Sequence, residues 1–281
     1  NVNNTEGTRL YDGISFKLEE KLNNTWYDFG TYTLDTLLHG GVRLRPGHYR
    51  MTELNGDVTD YSLHVDYVIK SASATVSEQK NLKTVEFDIT TDQSLNVEAH
   101  NVYTKLGNLK ITKKITGDLT SLNETQLKNI KFEVTGPFDF KETFTYYDIL
   151  SNGAKTFTNI PVGEYTVKET AGNITNYTHS FTVSGASADG KVTIPVGGTA
   201  QVDFTNTYTR QVGNLTIKKN LVGEVPETLT DELKQAMRFS VRDSSNKEVY
   251  AVTFDKFDAG EYTFQNVPTG KYTVVETIGN Q

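Results

Sequence analysis

The sequence contains no cysteine, which excludes disulfides and any thiolate metal site. Nor does it hold an apolar run long enough to span a membrane, and no signal peptide is read at Asn1. The net charge is −7 with no basic block, which argues against nucleic acid as a partner. The motifs G-x-S-x-G and H-E-x-x-H are missing, and so is a glycine loop that could cradle phosphate. The five histidines (39, 48, 64, 100 and 179) are scattered. His64-x-Asp66 has a spacing that could hold a metal, but on an alternating strand it reads as a solvated face. No metal, no cofactor and no enzymatic activity on an external substrate are expected. Methionine is nearly absent at two residues, while Tyr (15) and Phe (14) are plentiful, and Thr and Val abound. That bias favours strands.

What the chain does have is repetition. The stretch 156–173, TFTNIPVGEYTVKETAGN, returns nearly unchanged at 263–280 as TFQNVPTGKYTVVETIGN. A looser echo lies at 42–56, VRLRPGHYRMTELNG. Residues 108–117, NLKITKKITG, match 214–223, NLTIKKNLVG, and 202–208, VDFTNTY, match 97–103, VEAHNVY. A Phe-centred strand recurs around Phe16, Phe132 and Phe239. The glutamates of the echo are 169 − 53 = 116 and 276 − 169 = 107 residues apart, about one small β-sandwich each. The 281 residues, 36% hydrophobic and 22% charged, therefore divide into three all-β units at 1–105, 106–211 and 212–281. Short linkers at Thr104–Leu106 and Thr209–Val212 predict a stiff rod. One or two helical turns are expected at Ser121–Lys128 and Thr228–Gln235, from Ser-x-x-Glu and Thr-x-x-Asp caps.

Residues two apart on a strand share a face. Leu109, Ile111, Lys113 and Ile115 therefore point one way, which sends Lys113 inward and Lys114 outward. Tyr165, Val167 and Glu169 share a face, as do Val202, Phe204, Asn206 and Tyr208. The middle unit thus carries a lysine, a glutamate and an asparagine on apolar faces. Burial disfavours both the ammonium and the carboxylate, which leaves a nucleophilic amine beside a protonated acid. The alternative for the same residues is a buried Lys–Glu ion pair with a hydrogen-bonded Asn.

The strand-borne lysine, the Y-T-V-x-E-T box and the closing F-T-N-T-Y resemble the Cna B-type (pilin-like) domains of Gram-positive surface proteins and pili. The resemblance covers essentially the whole chain. It implies tandem Ig-like sandwiches in which Lys113 attacks Asn206 with Glu169 as proton-handling catalyst, releasing ammonia and leaving an isopeptide bond. Lys219 and Glu276 match in the third unit, and Glu53 and Asn101 in the first. Ala99 and His100 replace Phe and Thr before Asn101, so the first unit departs most from the pattern. Absence of cysteine in such a β-rich chain also fits a bacterial surface protein.

Only the middle unit holds all three residue types. Lys17 lies between inward Phe16 and Leu18 and points outward, and Asn280 is the counterpart of Asn173, beyond the glutamate strand. The outer units are thus expected to be completed by something else. The functional expectation is an extracellular, cell-wall-anchored stalk of an adhesin or pilin, with other copies or adjoining domains of the same surface protein as partners. The alternative is a binding module that directly holds a host matrix protein or glycan. Tyr146, Tyr147 and Trp26 are weighed as ligand-contacting residues, with ordinary packing favoured. Six Asn-x-Thr sequons, from Asn3 to Asn214, are read as compositional chance.

Overall fold

A computed structural model describes all residues except 1, 2, 4, 6, 8, 73, 120, 224–228 and 279–281. In chain order the first elements are α1 (Leu10–Gly13), β1 (Ser15–Leu22), β2 (Thr25–Thr33), α2 (Leu34–Gly40) and β3 (Gly47–Leu54). Then come β4 (Tyr61–Ser71), β5 (Ala74–Gln79), β6 (Thr84–Ile89) and the long β7 (Leu95–Gly117). Helix α3 (Glu124–Asn129) leads to β8 (Lys131–Thr135), β9 (Lys141–Thr145), α4 (Tyr146–Asn152) and β10 (Lys155–Pro161). Four more strands follow: β11 (Gly163–Ala171), β12 (Tyr177–Ser184), β13 (Lys191–Ile194) and β14 (Thr199–Arg210). The last elements are β15 (Val212–Lys218), α5 (Asp231–Ala236), β16 (Met237–Arg242), β17 (Glu248–Thr253), β18 (Glu261–Pro268) and β19 (Thr273–Ile278). The class is all-β, in tandem sandwiches.

Two compact units are distinguished: 1–113 with 131–170 and 183–204, and 114–130 with 171–182 and 205–281. In the first, the sheet β2-β1-β3-β6 packs on β5-β4-β7. Their inward residues alternate along each strand. Phe16 and Leu18 of β1, Tyr49 and Met51 of β3 and Phe87 of β6 meet Val65, Tyr67 and Ile69 of β4. The same unit contains the sheet β13-β11-β8-β9 and the pairing of β10 with β7. Phe132 of β8 stacks on Phe144 at 5.2 Å and meets Phe204 edge-on at 5.3 Å. Side-chain bonds from Asn108 to Thr199 and from Thr112 to Asp203 share an offset of 91 residues, so β7 and β14 run parallel there.

In the second unit, Thr116 bonds Thr207 at 2.9 Å with the same 91-residue offset. β15 pairs with β18, and β17-β16-β19 form a three-stranded sheet. Its core is Ile217, Phe239, Val241, Val252, Phe264 and Val267. Pairing repeats the first unit's register residue by residue. Leu109 faces Phe157 and Leu106 faces Pro161, while Leu215 faces Phe264 and Val212 faces Pro268, each with a bulge at the same step.

Several sequence expectations shift. Thr104–Leu106 is not a linker but the middle of β7, because β4 holds its first half and β10 its second. Between β14 and β15 only Gln211 is outside a strand. Helix α3 is capped by Asn123 and Gln126 rather than Ser121 and Glu124. The amide of Asn123 accepts the Gln126 N–H, and the Gln126 side chain accepts the Asn123 N–H. Helix α5 is capped by Thr230; Thr228 lies outside the described residues, as does Asn280. Tyr146 is buried in α4, a helix whose Thr145-x-x-Asp148 capping box the strand pattern obscured.

Phe132 is wholly buried between two other rings, whereas Phe181 is 56% exposed. Phe132→Ala is expected to cost about 3–5 kcal/mol in denaturant unfolding, and Phe181→Ala within about 0.5 kcal/mol of nothing.

Candidate functional site

The site is built on alternation. On β7, Leu109 and Ile111 are fully buried and Lys113 follows them inward, while Lys114 is exposed. Lys113 is surrounded by apolar groups, its Nζ lying 5.7 Å from the Phe132 ring and 5.8 Å from that of Phe204. It donates to Glu169 Oε2 of β11 at 2.5 Å, with the two side chains 0% and 4% exposed. Burial pushes the lysine's pKa down, against the hydrogen bond and charge of Glu169. A lysine and an acid placed far apart in sequence thus meet in a dry pocket.

Asn206 lies on β14 in a run of buried residues, Val202, Phe204, Asn206 and Tyr208, as the alternation predicted. Its amide donates to the Tyr208 hydroxyl at 3.2 Å, and that hydroxyl donates to the Gly172 carbonyl at 2.5 Å. The first unit repeats this arrangement. Asn101 lies 3.4 Å from the Tyr103 hydroxyl, which donates to Gly56 O at 2.7 Å. Asn101 also donates to Glu53 Oε1 at 2.7 Å, so the pair from the copy that departs most from the pattern is brought together. Burial raises the Glu53 pKa, opposed by that Asn101 bond and more weakly by Lys83.

In the third repeat Lys219 sits one residue past β15 and reaches Glu276 at 2.9 Å. The two side chains are 24% and 31% exposed, so this pair is far wetter than the middle one. Val274, the counterpart of Val167, is 43% exposed against 1%. Both outer glutamates keep the same neighbour, since Phe16 faces Glu53 and Phe239 faces Glu276 across the ladder.

Sequence reasoning missed the tyrosines. Tyr49, Tyr165 and Tyr272 each donate to the carbonyl four residues earlier, on Arg45, Pro161 and Pro268. These bonds tie the turn before each glutamate strand to the strand itself. The recurrent Tyr four residues before Glu was the available signal. Also missed were the buried Glu19 and Glu20 on β1. Arg50 donates to Glu19 at 2.6 Å, holding that carboxyl near a pKa of about 2, and Arg45 forks onto Glu20. Trp26 lies 4.5 Å under the Arg50 guanidinium, an ordinary surface stack. His64 stacks on Phe138 at 3.6 Å and Asp66 accepts the Asn81 N–H. Among the described residues no group of acidic or histidine side chains could hold a metal, and no helix is long and apolar enough to cross a membrane.

Comparison with known proteins gives a family match over residues 109–209, to "Domain of unknown function (DUF5979)". No curated protein matches. Among solved structures, the chain is similar to the TIE protein of Bacillus anthracis, at 19% identity and a TM-score of 0.36, over 85% of this chain and 50% of that one. It is similar to two B repeat units of the collagen binding protein of Staphylococcus aureus, at 15% identity and 0.33, over 76% and 62%. A third is the major pilin T3.2 of Streptococcus pyogenes, at 15% and 0.23, over 70% and 90%. The chain therefore spans about half to three-fifths of the first two structures.

Because the folded state favours protonated Glu53, its contribution to stability is complete below the ordinary value of 4.5 and is lost as pH rises through the raised folded value. Stability measured by urea unfolding should thus fall over that window in the parent chain. Glu53→Gln should remove that part of the slope. An unchanged pH profile in the variant would show that Glu53 titrates normally.

Proposed function

We propose that this chain is a stalk segment of a Gram-positive, cell-wall-anchored adhesin or pilin, made rigid by autocatalytic Lys–Asn isopeptide bonds. Its domains are 1–105, 106–211 and 212–281. In the middle domain Lys113 is the nucleophile, Asn206 the acyl partner and Glu169 the proton carrier. The observation that carries this reading is the Lys113–Glu169 contact at 2.5 Å, with both side chains out of water. An exposed pair would hold a solvated ammonium, which cannot attack.

The chemistry follows from that burial. Glu169 takes a proton from the amine, whose nitrogen attacks Cγ of Asn206, and returns it to the departing Nδ2. One amide forms and one ammonia leaves. Holding the groups in place makes the attack intramolecular, which contributes on the order of 7–11 kcal/mol. The crosslink spans 206 − 113 = 93 residues, and closing a loop of that size stabilises by roughly 4–5 kcal/mol. In a chain without cysteine it takes the place of a disulfide. The same roles fall to Lys219 with Glu276 and to Glu53 with Asn101, each with one member of the trio still to be supplied. Other copies or adjoining domains of the same surface protein are the partners this reading implies.

Intact-mass measurement tests the reading. The purified protein should weigh one ammonia less than its sequence, and Lys113→Ala, Glu169→Ala or Asn206→Ala should each restore the full mass. These variants should also melt at a lower temperature than the parent. Full sequence mass in the parent chain would exclude the bond.

A further inference from the structure

The first unit contains a groove of about 990 Å³ that the middle one fills with its own chain. In the middle domain the segment of β7 from Gly107 to Ile111 has β10 antiparallel on one edge. On its other edge it meets β14, running parallel. The equivalents in the first domain lie apart. Helix α2 precedes Gly41–Pro46 as α4 precedes β10, but Gly41–Pro46 is not a strand. The equivalent of β14 is Leu95–Tyr103 of β7, which is paired on one edge by β4. Val42 and Leu44 from one side, and Leu95 and Val97 from the other, line the groove between them.

Glu53 and Asn101 also line it. Glu53 is 4% exposed, and its Oε2 and the Oδ1 of Asn101 are buried without a hydrogen-bond partner among the described residues. Buried polar atoms are costly when left unpaired, so a pair of them beside a groove points to a missing donor. No lysine lines the groove. Lys17 is held by Glu19, Lys70 by Glu98 and Lys83 by Asp57, while Lys21 and Lys105 lie over the rings of Trp26 and Tyr61.

The shape and chemistry of the groove select one kind of occupant. Two backbone edges facing each other call for an extended segment that hydrogen-bonds on both sides. An apolar floor ending at a carboxyl and an amide calls for two apolar side chains followed, on the same face, by an amine. Leu109-x-Ile111-x-Lys113 and Leu215-x-Ile217-x-Lys219 are that pattern, and each sets its lysine against a glutamate.

We propose that the groove is an acceptor for a lysine-bearing β-strand from outside residues 1–281. The strand enters between β7 and Gly41–Pro46, runs parallel to β7 and brings its amine to Glu53 and Asn101. Its last step rests on the covalent reading above. The incoming Nζ bonds to Cγ of Asn101, the bond from Cγ to Nδ2 breaks, and Glu53 passes the amine's proton to the ammonia that leaves.

The test uses the full chain and a synthetic peptide with the sequence of residues 106–117, LGNLKITKKITG. Titration should perturb the backbone amides of Leu95–Asn101, and a denaturing gel with mass analysis should show chain plus peptide less one ammonia, joined at Asn101. Asn101→Ala in the chain, or Lys113→Ala in the peptide, should abolish the adduct and leave docking intact. Docking of the parent peptide without an adduct would support the groove and count against the covalent reading instead. No docking by either peptide, or equal docking by a scrambled sequence, would overturn the proposal.

Discussion

A carboxyl group set on the apolar face of a strand is the constraint from which the rest of this structure follows. Glutamate in a dry core is tolerated only when a partner satisfies it, and removing the partner of a buried pair costs about 3–5 kcal/mol. Two of the three repeated glutamates are answered by a lysine and the third by an asparagine. Glu169 receives the amine of Lys113, Glu276 that of Lys219, and Glu53 the amide of Asn101. The Phe strand alongside and the tyrosine bonded back to its own turn fix the glutamate strand in register, so the carboxyl has little freedom to escape to solvent.

The three copies also form a series in hydration. Lys113 and Glu169 are sealed by Phe132 and Phe204, whereas Lys219 and Glu276 remain about a quarter to a third exposed. The residue types are identical, so the difference lies in what covers them. Over Lys113 the covering strand is β14, whose Phe204 closes over the amine. A sealed pair has a lysine driven toward its neutral form; an open pair remains a surface ion pair worth little to stability. Packing, more than residue identity, sets how far each pair is removed from water.

Much of this was legible because strands of period two write their faces into the sequence. Lys113 inward and Lys114 outward, and the inward run from Val202 to Tyr208, could be read directly. Matching repeats gave the common register of the β7–β10 and β15–β18 pairs. What could not be read was whatever depends on a partner far along the chain. Thr104–Leu106 looks like a linker until β4 and β10 are seen to hold either side of it. Glu19 and Glu20 look solvent-bound until a bulge after Leu18 turns both toward Arg50 and Arg45. Helices α1, α2 and α4 are four to seven residues long, too short for a periodic signal to outweigh their strand-like composition.

Strand β7 has a consequence for how such a chain can change over time. Asn101 and Lys113 lie on one uninterrupted strand, 113 − 101 = 12 residues apart, so both belong to the same alternating set. Inserting or deleting a single residue between them would invert one site relative to the other, sending either the amide or the amine to the solvent side. Only changes in pairs preserve both. The spacing between these two inward residues is therefore locked in parity, and divergence in length is channelled into the turns, where no phase has to be kept.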